Sequence, residues 1–233
     1  RGYHLHLLGR NNEKLLELKE KYSPQCEVNL WNVDLSKDDQ LDHFLNQIKD
    51  ESFEIVINNA GLGDYGPFVS SDQNKVEQMV RVNVLALTKI AHVTLQNMVK
   101  RNKGYLLNVA SMAGFMSGPN MAVYYATKSY VIHFSEALTA ELKNDNVVVS
   151  CLCPGPVDTQ FYSRSNLENS NLFKNLWVAD APTVVMEGIF GLQKKKSVNI
   201  VGFQNQMIVF ATRFIPRQLL TNLTQYAQKH RKN

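Results

Sequence analysis

Short, continuously apolar segments alternate with helix-period segments along most of this 233-residue chain, and that alternation restricts the folds open to it more than any other feature. Tyr3 to Leu8, Glu27 to Val33, Glu54 to Asn58, Gly104 to Ala110 and Val147 to Cys153 read as strands. Between them, Asn12 to Tyr22, Lys37 to Ile48, Asn74 to Lys100 and Ala122 to Lys143 read as helices. The second helix is expected to open on a capping box, Ser36 with Asp39 three residues on. A strand apolar on both faces must be covered on both faces, and parallel neighbours need a helical crossover between them. The pattern therefore predicts an α/β fold: a doubly wound Rossmann arrangement, a parallel sheet with helices on both faces.

Past Thr159 the regularity weakens. Ser163 to Asn175 is polar with little periodicity and reads as a mobile loop, within a stretch, 160–180, expected to border a substrate. Thr183 to Lys194 and Ser197 to Val201 supply one more helix and strand. Gln206 to Phe214 and Arg217 to His230, parted by Pro216, form a C-terminal helical extension over 203–233. Without repeats, low-complexity tracts or a linker, residues 1–233 read as one domain.

The composition excludes several classes. A net charge of +4 without an aromatic-interleaved basic stripe gives no nucleic-acid surface. Cys26, Cys151 and Cys153 have no metal-ligand spacing and fit a reducing compartment, the latter two as packing residues on one strand face. No metal site is expected. No apolar run approaches the roughly 18 residues that span a bilayer, and the start lacks a charged-then-apolar targeting pattern, so the chain reads as soluble and cytoplasmic. Lys194-Lys195-Lys196 and the Lys229 to Lys232 cluster read as solvated helix ends in preference to peripheral membrane contacts.

Chemistry is concentrated in four motifs. Asn58-Asn59-Ala60-Gly61 closes the third strand, Ser111 follows the fourth, Tyr124 and Lys128 lie in the next helix, and Pro154-Gly155-Pro156-Val157-Asp158-Thr159 follows the fifth. With nine Tyr and seventeen Lys in the chain, a Tyr-x-x-x-Lys match arises by chance about 0.7 times. A Ser thirteen residues upstream lowers that to roughly 0.04, so the combination is not accidental. Tyr124 and Lys128 at i and i+4 share one helix face. A Tyr is a poor acid-base at neutral pH unless its phenolate is stabilised, and an ammonium one turn away is expected to do so.

With these motifs in this order, the chain resembles the short-chain dehydrogenase/reductase family over essentially its whole length, particularly its bacterial-type oxidoreductases with an extended C-terminal region. The resemblance implies NAD(P)-dependent interconversion of a carbonyl compound and an alcohol. Tyr124 would be the acid/base, Lys128 its electrostatic tuner and a ribose ligand, and Ser111 a hydrogen-bond donor to the substrate oxygen. Asn83 would hold a water that relays protons to Lys128. Asp34 and Leu35 resemble the pair that contacts adenine, and Asn58, Ala60 and Gly61 would let the backbone pass close to adenosine. Asn59 would tie strands together, and Tyr125 would only pack. Pro154, Gly155, Val157 and Thr159 resemble the segment that holds the nicotinamide carboxamide. The family's Gly-rich turn and its first, central strand are not in the sequence, and are expected upstream of Arg1.

Coenzyme choice is read at the end of the first visible strand, where Gly9 stands in place of an acid and Arg10 follows. A guanidinium beside an absent carboxylate favours a 2′-phosphate, so NADP(H) is expected, with NAD(H) the alternative. Phe161, Leu172, Phe173, Leu176, Trp177 and Phe203 are candidates to wall an apolar substrate pocket. By resemblance the two long helices would pair in a homodimer or homotetramer. The alternative in another class is a non-catalytic nucleotide-binding scaffold or sensor on the same fold.

Overall fold

In the computed structural model, residues 2–167 and 178–228 are described, and they fall into two compact units that divide between Glu51 and Ser52. In the first unit, strand β1 (Leu5–Gly9) is followed by helix α1 (Asn12–Tyr22), strand β2 (Val28–Asn32) and helix α2 (Asp38–Ile48). β1 and β2 pair in parallel, Leu7 opposite Leu30. Asn11 caps α1 by accepting the Lys14 N–H at 2.9 Å. The expected capping box does not form. Ser36 instead donates its N–H and its hydroxyl to Asp34 Oδ1, and α2 starts after Lys37 without a side-chain cap. An Asp two residues upstream outcompetes the helix for the Ser, as short polar side chains do at turns.

The second unit contains β3 (Ile55–Asn58), α3 (Gln73–Val80), α4 (Leu87–Lys100), β4 (Gly104–Val109), α5 (Ala122–Glu141), β5 (Val147–Cys153), α6 (Phe161–Arg164), α7 (Ala181–Gln193), β6 (Val198–Ile200), α8 (Phe203–Thr212) and α9 (Arg217–Ala227). Its sheet is parallel in the order β3-β4-β5-β6. All seven residues of β5 are buried, which is why the segment shows no polar alternation. Leu107, Leu152, Val184 and Leu192 pack in one cluster, while Val131, Ile132, Cys151 and Cys153 pack in another with Leu87 and Ala110. The α/β class and its helix-covered parallel sheet are as the sequence predicts.

Two departures bear on the site. Among the described residues the strands lie in two sheets, β1–β2 and β3–β6, and β3 pairs on one side only. Ile55 and Ile57 of β3 are correspondingly exposed. The helix expected over Asn74 to Lys100 is interrupted by a π-helical stretch, Arg81–Ala86, between α3 and α4. Of the expected loop from Ser163 to Asn175, the first residues belong to α6 and to the turn that ends it, and 168–175 lie outside the described residues, as do Lys229 to Lys232. Among the described residues no helix is long and apolar enough to cross a membrane, and no acid, His and Cys cluster could hold a metal ion.

Candidate active site

The carboxyl ends of β4 and β5 are stitched together by their following turns. Ser111, in extended backbone, accepts the Ala113 N–H at 3.1 Å and so caps a 3-10 turn, Met112–Phe115. The Met112 N–H donates to the Pro154 carbonyl at 2.9 Å, and the Ser111 hydroxyl lies 3.5 Å from that same oxygen. Gly114 permits the turn to press onto α5, because a Cβ there would lie 2.7 Å from the Lys128 carbonyl oxygen. Backbone cannot yield as a flexible side chain can, so this position requires the absence of a side chain. The Ser111 turn is thereby fixed against the helix carrying Tyr124 and Lys128, both buried.

The Tyr124 hydroxyl is hydrogen-bonded to Ser111. Burial pushes the phenol up to about 12, and the Ser111 bond opposes that rise. Lys128 Nζ donates to the Val109 carbonyl at 2.8 Å and stands 5.9 Å from the centre of the Tyr124 ring. Burial pulls this ammonium down to about 8, against smaller opposing effects of Cys151 and Cys153. Removal from water disfavours phenolate and ammonium alike, and the group that favours the phenolate is Ser111.

Asn83 sits in the π-helical stretch and is buried. Its Oδ1 accepts the Leu62 N–H at 2.8 Å, while Nδ2 donates to the Leu62 carbonyl at 2.9 Å and to Thr127 Oγ1 at 3.0 Å. Both amide donors therefore hold protein atoms, and the residue clamps the segment after β3 to α5. Single π turns inside α-helices often mark functional positions, and here one turns the Asn inward. Gly61 lies in the clamped segment, and a Cβ on it would come within 3.3 Å of Lys128 Nζ. Asn58, not Asn59, ties the strands: Asn58 Nδ2 donates to Asn108 Oδ1 at 2.9 Å, whereas Asn59 and Ala60 are exposed.

Around the phenol, the Phe161 ring lies 5.4 Å from the Tyr124 ring. Thr159 Oγ1 accepts the Phe161 N–H at 3.3 Å and helps set the start of α6. Gly155 faces Asn205, whose Nδ2 a Cβ would meet at 2.5 Å, and Val157 bridges to Ala179. Phe203 is exposed on α8, so of the expected pocket walls only Phe161 touches Tyr124; Leu172, Phe173, Leu176 and Trp177 lie outside the described residues. Tyr125 packs, as expected, but it also accepts a hydrogen bond from Gln228 Nε2. The Gln228 carbonyl accepts from the Tyr65 hydroxyl. Sequence patterns gave no hint of Gln228 or Thr127, because long-range pairing of lone polar residues leaves no periodic trace.

In the first unit, Leu35 is buried and Arg10 exposed. Partial burial alone would raise the Asp34 carboxyl, but the Ser36 hydrogen bonds and the charges of Arg10 and Lys37 hold it below the usual carboxylate range. A Cβ on Gly9 would meet Leu15 at an ordinary 3.6 Å, so packing does not dictate glycine there.

Comparison with known proteins places these features. The short chain dehydrogenase family model matches residues 1–170. The chain is 31% identical over 168 residues, 69% of its length, to a very-long-chain 3-oxoacyl-CoA reductase of Rattus norvegicus, of which the match covers 53%. It is 27% identical over 187 residues to a 3-oxoacyl-(acyl-carrier-protein) reductase of Chlamydia trachomatis, covering 78% of this chain and 73% of that one. The chain thus spans about half the length of the long-chain reductases it matches. Among solved structures, a short-chain dehydrogenase from Sphingobium yanoikuyae in complex with NADPH superposes with a TM-score of 0.82 at 24% identity, covering 98% of this chain and 89% of that one. That likeness establishes the shared fold. With a family match across most of its length and the Ser111, Tyr124 and Lys128 constellation assembled, the chain belongs to the short-chain dehydrogenase family.

Proposed function

We propose that the protein is an NADP(H)-dependent oxidoreductase that interconverts an apolar ketone or aldehyde and the corresponding alcohol. The observation that carries this reading is the buried Tyr124 hydroxyl held by Ser111 with the Lys128 ammonium one helical turn away. A nicotinamide coenzyme, when bound, supplies or accepts the hydride. Its residues fit: Lys128 is a buried ammonium with one hydrogen bond, to Val109 O, leaving donors suited to ribose hydroxyls, and the bare Gly61 leaves room beside it. Pro154, Gly155, Val157 and Thr159 are the proposed nicotinamide segment. Asp34, Leu35, Asn58 and Ala60 are proposed for the adenosine end.

Tyr124 gives its proton to the carbonyl oxygen as that oxygen gains charge, and takes it back in alcohol oxidation. Ser111 donates to the same oxygen and keeps the phenol oriented. Asn83 holds the Leu62 segment and, through Thr127, the helix that carries the pair; a water on its remaining lone pair is the proposed relay toward Lys128. Phe161 and the apolar character of the surrounding cluster support an apolar substrate, and a long-chain acyl carbonyl agrees with what the relatives are named for.

The test follows NADPH oxidation over a panel of acyl, steroid and short-chain carbonyl compounds. Turnover is expected with at least one apolar carbonyl. Tight NADPH binding without turnover of any of them would instead favour the nucleotide-binding scaffold. Coenzyme preference is checked separately with Arg10→Asp, which is expected to lower the NADPH-over-NADH ratio of kcat/KM about tenfold or more, since it replaces a phosphate donor with a repelling charge. An unchanged ratio would remove Arg10 from the site.

A further inference from the structure

The C-terminal part of the chain has a charge and an exposed surface unlike the rest. Residues 1–180 contain 17 Lys and Arg against 20 Asp and Glu, whereas 181–228 contain five against one, Glu187. The remaining sequence to Asn233 adds three more basic residues and no acidic one. The basic excess of the sequence therefore comes from the residues after 180, those of α7, α8 and α9 together with the stretch that follows them.

That region also leaves apolar surface uncovered in a regular way. On α8, Phe203, Met207 and Phe210 recur at helical spacing, with Phe214 one turn beyond, and all face solvent, Phe203 at 75%, Phe210 at 53% and Phe214 at 73% exposure. The opposite side of α8 buries Asn205 and Val209. α9 repeats the arrangement, exposing Leu219, Leu223 and Tyr226 while burying Thr224. Between them stand exposed Arg213 and Arg217. On α7, Phe190 is exposed with the ammonium groups of Lys194 and Lys196 each within 5.8 Å of its ring centre. Single exposed apolar residues are ordinary, but two successive helices with outward apolar stripes flanked by cations and almost free of acids are not.

We propose that the outward faces of α8 and α9 dock on an anionic lipid bilayer, the apolar stripes entering the interface and Arg213, Arg217 and the α7 lysines meeting the head groups. A helix that exposes aromatic and aliphatic side chains beside basic ones is suited to lie in the plane of such an interface. The charge argues for this occupant over a second copy of the chain, because two copies meeting through this face would bring like charges together. The proposal stands independently of the reaction assigned above, since none of these residues is in the catalytic set.

The full chain is to be sedimented with vesicles of phosphatidylcholine alone and of phosphatidylcholine with about one third phosphatidylserine, at low and high salt. Binding to the serine-containing vesicles is expected, weakening with salt and with removal of the anionic lipid. Each basic residue near an anionic surface strengthens binding about fivefold, so Arg213→Gln with Arg217→Gln should weaken it on the order of twentyfold. Phe210→Ser with Phe214→Ser should weaken it at least tenfold, from the lost burial of two rings, at an unchanged thermal midpoint. If the Phe variant does not fold, the Arg variant decides alone. No sedimentation with the anionic vesicles would overturn the proposal. So would lipid-free, concentration-dependent dimerisation that the Phe variant abolishes, which would assign the face to a second copy.

Discussion

Replacing Tyr124 with Phe is expected to lower kcat/KM for carbonyl reduction by at least 10² to 10⁴, the range that loss of a positioned proton donor produces, with little change in the fold. The ring stays, so its packing in the cluster with Tyr65, Met79 and Leu167 and its contact with Phe161 survive. What is lost is one hydroxyl and its bond to Ser111. Ser111 retains the Ala113 N–H as a partner, so no buried group is orphaned and stability should move by no more than about 1 kcal/mol. NADPH affinity, read by fluorescence, should be nearly unchanged. A variant as active as the parent would remove the proton donor from the proposed reaction, whereas loss of the thermal transition would show that the hydroxyl is structural.

Replacing Lys128 with Met should abolish turnover while changing the pH dependence of stability in a direction that burial alone dictates. Burial lowers the Lys128 ammonium from 10.5 to about 8 in the folded protein. Below pH 8 the group is protonated in both folded and unfolded chains, and the full cost of burying its charge weighs on the fold. Between pH 8 and 10.5 the unfolded chain binds a proton that the folded chain has released, so stability rises with pH. The rise contributed by this one group is about 3 kcal/mol across that window, at 1.36 kcal/mol per unit. The Met variant lacks it. Denaturant unfolding of both proteins from pH 7 to 10 should therefore show the parent gaining on the variant as the pH rises. Parallel curves would mean that Lys128 is solvated in the folded protein. The comparison cancels the titrating groups that do not interact with Lys128, and the lost bond to Val109 O shifts one curve without tilting it.

Much of the architecture was readable because parallel strands covered on both sides show themselves as unbroken apolar runs. The bounds of β5, Val147 to Cys153, are visible in the sequence for that reason, and every residue in it is buried. The Tyr124 and Lys128 pair was readable because helical spacing is rigid. Residues whose position depends on local competition were less accessible. Ser36 looked like a helix cap, but Asp34 captures both of its donors. Asn83 stands out in the sequence only through the family resemblance, and nothing there shows the π-helical stretch in which its amide bonds Leu62 and Thr127. Helical spacing gives the proximity of Lys128 to Tyr124 but not the desolvation, which dominates both titrations. The outward apolar stripes of α8 and α9 were hidden for a related reason. Periodicity shows that a helix has an apolar side, and it does not tell whether anything lies against it.

Gln228, the residue that closes α9, has an unexpected reach. Its side chain is wholly enclosed, its carbonyl takes the Tyr65 hydroxyl and its amide holds the phenol next in sequence to Tyr124. Loss of this residue would take one hydrogen-bond partner from each of two aromatic hydroxyls in the cluster around Tyr124, although it lies a hundred positions away from that tyrosine in sequence. Tags or fusion partners joined close to Gln228 accordingly have to be judged by turnover as well as by yield.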